Sequence, residues 1–87
     1  MTARFERVLQ LYERGGYTRM ELFPALVQAT DLDSVETMIA RLPPDLRKEL
    51  FEFARTQPLE GGFTVAAEVT FRFDKRVILK IRALAPR

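Results

Sequence analysis

Residues 61–84 run GGFTVAAEVTFRFDKRVILKIRAL, and the period of their apolar positions decides the fold. Phe63, Val65, Ala67, Val69, Phe71 and Phe73 occupy every odd position, with Thr64, Ala66, Glu68, Thr70 and Arg72 between them. A period of two, rich in β-branched and aromatic side chains, predicts a strand. Val77, Leu79, Ile81 and Ala83 alternate with Ile78, Lys80 and Arg82 and predict a second one. Pairing Phe73 with Val77 brings Phe71 to Leu79, Val69 to Ile81 and Ala67 to Ala83, so all the apolar residues share one face. Glu68 then lies opposite Arg82, and Thr70 opposite Lys80. A two-residue loop would set Phe73 against Arg76 and mix the faces. The competing reading is a helix, because Val69, Phe73, Val77 and Ile81 are spaced by four, and Asp74-Lys75-Arg76 lacks the glycine that tight hairpin loops prefer.

Upstream of this stretch the period is helical. Phe5, Val8, Leu9 and Tyr12 share a face of a helix over 2–14, which Gly15-Gly16 can close. Thr18 and Glu21 have the spacing of a capping box, followed by Leu22, Phe23, Leu26 and Val27. Pro24 falls inside that stripe, so the helix either kinks there or begins there. Asp33 and Glu36 repeat the capping spacing before Val35, Met38, Ile39 and Leu42. Pro43-Pro44-Asp45 ends one helix and starts another, whose buried face is Leu46, Leu50, Phe53 and Ala54, before Pro58 stops it. The expectation is an α+β fold in one domain, 1–87. Three to four short helices (1–57) precede a C-terminal antiparallel β-hairpin (61–87) packed on the helices or on a second copy of the chain.

Composition narrows the chemistry. With 47% apolar and 30% charged residues in 87, the chain has the make-up of a small globular domain. It contains no Cys and no His, which removes disulfides, thiolates, the commonest general base and the commonest metal ligand. Ser34, the only serine, therefore lacks its usual activating base. Asp31, Asp33 and Glu36 do not follow the alternating pattern of a calcium loop, and capping accounts for Asp33 and Glu36. Gly15-Gly16 and Gly61-Gly62 are isolated pairs without phosphate-loop spacing. A non-enzyme without metal, cofactor or small-molecule substrate is expected. No apolar run reaches the length of a membrane span and the N-terminus lacks a signal-peptide core, so a cytoplasmic location is expected.

Charge is unevenly distributed. Residues 1–60 hold 8 basic and 10 acidic side chains, whereas 61–87 hold 6 basic and 2 acidic. On the predicted hairpin Arg72, Lys80 and Arg82 project from the face opposite the aromatics, with Lys75 and Arg76 at the tip. These five are the candidate contacts for phosphates or for an acidic partner. Phe63, Phe71 and Phe73 share their face with valines, which fits core packing better than base stacking.

Residues 8–28, VLQLYERGGYTRMELFPALVQ, carry a further pattern: Leu9 and Leu11, Gly16, Tyr17, Thr18, Glu21, then Leu22 and Leu26. It resembles the SHOCT (short C-terminal) two-helix domain type, with Pro24 as a departure. The resemblance implies an interaction or oligomerisation module with no catalytic residues. The remaining helical segments look like those of uncharacterised small bacterial proteins. The functional expectation is thus a non-catalytic protein-interaction domain, pairing with itself as a homodimer or with another protein. The alternative is a nucleic-acid-binding accessory protein using the basic hairpin.

Overall fold

The C-terminal stretch is where structure and sequence part. In the computed structural model, which describes residues 3–57, 62–65 and 69–86, Lys75–Leu84 form a helix, α5. The described residues are mainly helical, and the expected α+β fold closed by a hairpin of 63–73 against 77–83 does not form. What strand there is lies earlier. β1 (Gly62–Val65) pairs antiparallel with β2 (Val69–Arg72), so Phe71 faces Phe63 and Val69 faces Val65, instead of Leu79 and Ile81. The reason sits at Asp74. Its carboxylate accepts from the Arg76 amide at 3.0 Å and caps a helix where a hairpin loop was expected. Along α5 the buried residues are Val77, Ile78 and Ile81, while Leu79 is exposed. That is a helical face, not an alternating one. The expected pairs Ala67–Ala83 and Glu68–Arg82 involve residues outside the described ones.

The remaining helices are α1 (Arg4–Glu13), α2 (Arg19–Ala29), α3 (Val35–Arg41) and α4 (Pro44–Thr56). α1 ends in a Schellman turn: Gly15 donates to the Tyr12 carbonyl, Gly16 donates to that of Leu11, and Gly15 holds φ at 83°. The capping box of α2 is complete. Glu21 N–H donates to Thr18 Oγ1, and Thr18 N–H donates back to Glu21 Oε1 at 3.0 Å. α2 starts at Arg19 and continues through Pro24, whose ring is buried. Before α3 the capping differs from expectation. Asp31, not Asp33, accepts from Ser34 N–H and closes a 3-10 turn over Leu32–Ser34. Pro44 opens α4 at its first turn with Asp45 beside it, as the dipole favours.

α1 lies on α2 and α4 on α5. Their inner faces merge with that of α3 in one core containing Phe5, Leu26, Met38, Leu50, Ile78 and Ile81. Each such side chain contributes about 1.5–3 kcal/mol by leaving water. Phe53 bridges outward from this core, its ring 6.2 Å from Phe23 and 6.0 Å edge-on to Phe73. Thr30, buried at the end of α2, donates its hydroxyl to the Leu26 carbonyl at 2.6 Å. The radius of gyration, 12.0 Å, is that of a compact chain, for which this length gives roughly 12 Å.

Candidate functional site

A groove of about 700 Å³ runs along the outer face of α4 and ends against the C-terminus of α5. Its long wall is one helical stripe: Pro44, Arg47, Lys48, Phe51, Glu52 and Arg55. These fall at i, i+3, i+4, i+7, i+8 and i+11, on a stripe beside the buried Leu46, Leu50 and Ala54, and Phe51 also packs in part against the core. At 1.5 Å per residue the stripe is about 16 Å long. Arg82, Ala85 and Pro86 form the other wall.

The cations of this groove are of two kinds. Arg47 donates from Nε to the Ile39 carbonyl at 3.2 Å and from Nη2 to that of Leu42 at 2.9 Å, tying down the end of α3. Arg82 does the same at the end of α4, donating from Nε to Ala54 at 2.7 Å and from Nη2 to Gln57. Both guanidiniums sit at the negative ends of helices, where positive charge is stabilised. Each retains an Nη1 with no partner among the described residues. Lys48 is exposed and unpaired among the described residues. Arg55 is exposed and holds Glu52 at 2.6 Å. Glu52 is the single carboxylate against four cations. The apolar part of the lining is half-buried Phe51 with Pro44, Ala85 and Pro86.

The five basic residues singled out in the sequence are not gathered on one surface. Arg72 sits on β2, where its backbone N–H donates to Gln28 Oε1 at 3.2 Å and its side chain is exposed. Lys75 opens α5 and is exposed. Arg76 folds back on Asp74, Nη2 to Oδ2 2.7 Å, and that contact holds the Asp74 carboxyl below its ordinary pKa. Lys80 donates to the Leu32 carbonyl at 3.1 Å, securing the 3-10 turn. On a helix Lys80 and Arg82 point to different sides, so the strand geometry that made them coplanar is lost. Of the five, Arg82 alone lines the groove.

Arg47, Lys48, Phe51 and Arg55 were not among the residues expected from the sequence; their signal there is cations flanking an aromatic on one stripe of α4, beside the stronger apolar stripe of Leu46, Leu50 and Ala54.

A second depression of about 580 Å³, between α1 and α2, is lined in part by Arg4, Arg7, Gln10, Tyr17 and Gln28. Among the described residues no three His, Cys, Asp or Glu side chains cluster to hold a metal, and no helix is long and apolar enough to cross a membrane.

No family model matches the chain, and neither a curated protein nor a solved structure matches it.

Proposed function

We propose that this protein is a non-catalytic interaction domain that docks a segment of another protein in the groove along α4. The observation that carries this reading is the open apolar lining at Phe51, Pro44, Ala85 and Pro86, framed by four cations of which Arg47 and Arg82 are already held in place by helix ends. Apolar floor supplies affinity, and a fixed polar rim supplies orientation at low entropic cost. The groove pairs no nucleophile with a base, since Glu52 stands alone and is bonded to Arg55. The resemblance of residues 8–28 to an interaction module supports the same class. A phosphate-binding role for Arg72, Lys75, Arg76, Lys80 and Arg82 finds less support, because β2 and α5 do not gather the five on one surface and Arg76 is paired with Asp74.

The test is selection from a display library of random peptides about four helical turns long, followed by titration of the selected peptides against the wild type and Phe51→Ser. Selected peptides that lose most of their affinity for Phe51→Ser support the reading. No binder tighter than about 100 µM, or binders indifferent to Phe51, would remove it.

A further inference from the structure

Resting on that docking reading, we infer that the occupant is an acidic amphipathic helix of a different protein, carrying two carboxylates two turns apart with an apolar side chain between them. The spacing comes from α4 itself. Lys48, Phe51 and Arg55 lie at i, i+3 and i+7 on the groove wall. The two outer cations are therefore about 10 Å apart along the axis, with the aromatic ring between them. A helix laid alongside has the same rise per residue. It matches this wall with an acid at i, an apolar residue at i+3 or i+4, and an acid at i+7. The groove is about three turns long, so one such helix fills it.

The ends are suited to the same ligand. Arg47 and Arg82 each present an Nη1 with no partner among the described residues, and neither has to be ordered on binding because backbone carbonyls hold it already. An incoming carboxylate competes with Glu52 for Arg55, an exposed pair that yields readily. Lys48 has no competitor among the described residues.

Two other occupants fit less well. A nucleic-acid strand would meet the cations, but single-strand platforms stack successive bases on several aromatics, and here one half-buried ring serves the whole groove. In a second copy of the chain, none of the described helices presents the required pattern. Among the described helices two acid pairs have the two-turn spacing. Glu6 and Glu13 flank Leu9, which is buried in the core, and Glu6 is bonded to Arg41 at 3.0 Å. Asp45 and Glu52 flank Lys48 and Glu49, which are charged.

The experiment is fluorescence anisotropy with three labelled probes: a designed three-turn helix bearing Glu at i and i+7 around Leu, the same helix with Lys at both positions, and a single-stranded oligodeoxynucleotide of similar length. Each is titrated at low and moderate salt against the wild type, Phe51→Ser, and the double variant Lys48→Glu with Arg55→Glu. The inference expects the acidic helix to bind the wild type best and to weaken with salt. It expects a loss of roughly tenfold in the double variant, where the Lys helix gains in turn. Circular dichroism checks that the variants remain folded; both charge reversals lie on exposed side chains. Equal or tighter binding of the Lys helix or the oligonucleotide overturns the inference. So does concentration-dependent dimerisation in light scattering that Phe51→Ser abolishes. Library-selected peptides that need Phe51 but are not acidic would overturn the acidic partner and leave the docking reading standing. The absence of any Phe51-dependent binder would overturn both.

Discussion

Replacing Ile78 and Leu79 one at a time separates the helix from the hairpin more sharply than any other pair of substitutions. In α5 Ile78 is 1% exposed and Leu79 is 45% exposed. A hairpin over the same residues would turn Leu79 inward and Ile78 outward. Ile78→Ala removes three buried carbons and leaves a cavity that the surrounding helices fill only in part, at a cost of about 2–5 kcal/mol. For a domain of this size each kcal/mol moves Tm by about 4–8 °C, so the expected fall is roughly 8–40 °C. Leu79→Ala loses part of an already wet surface and gains slightly in helix propensity, so its cost stays below about 1 kcal/mol. Thermal unfolding followed by circular dichroism at 222 nm measures both. Should Ile78→Ala prove too unstable to purify, Ile78→Val at about 0.5–1.5 kcal/mol keeps the comparison open. A larger loss from Leu79 than from Ile78 would refute the helical placement of 75–84.

Further consequences follow from the helix ends. Gly15→Ala forces a Cβ into left-handed backbone at φ 83°, and denaturant unfolding should show a loss of about 1–2 kcal/mol. Arg82→Met keeps much of the side-chain bulk but removes both hydrogen bonds to the end of α4, for an expected loss of roughly 1–2 kcal/mol, with the α4 C-terminal amides exchanging faster. Glu21 has its pKa lowered from the ordinary 4.5, first by the Thr18 backbone hydrogen bond and then by the Thr18 hydroxyl. Its folded value thus lies below its unfolded one, so its contribution to stability is full above about pH 4.5 and disappears as pH falls through the folded value. Glu21→Gln should flatten the acid side of the Tm–pH curve in that window and leave its neutral side parallel to wild type.

The helical two thirds of the chain were legible because most of the helices carry their own punctuation, α3 excepted, where Asp31 and not Asp33 makes the cap. Gly15-Gly16, Thr18 with Glu21, and Pro43-Pro44-Asp45 are local signals whose hydrogen bonds involve near neighbours, and each ends or starts a helix in the structure. The C-terminal third was ambiguous for a physical reason. Val77, Ile78, Leu79 and Ile81 are all apolar, so they satisfy a period of two and a helical face equally. Among the described residues the upstream alternation is strand over Gly62–Val65 and Val69–Arg72, and it does not carry on past Phe73, where Asp74 caps α5. Two signals held the answer: Asp74, a helix cap, and the lack of a hairpin glycine after it. Pro24 shows the opposite effect, where burial of a continuous apolar stripe overrides an unfavourable residue. The groove was illegible because its shape depends on where α5 ends. Its α4 wall was written in the sequence, but the wall carrying Arg82, Ala85 and Pro86 exists only once α5 is a helix.

The most direct test of the account is a two-dimensional ¹H–¹⁵N NMR titration of the wild type with the designed acidic helix. The account predicts that the largest amide shifts fall on Arg47, Lys48, Phe51, Arg55, Arg82 and Ala85, with Arg4, Arg7 and Arg72 unmoved. Shifts centred on Arg4, Arg7 and Gln28, or a spectrum unchanged at saturating peptide, would contradict it.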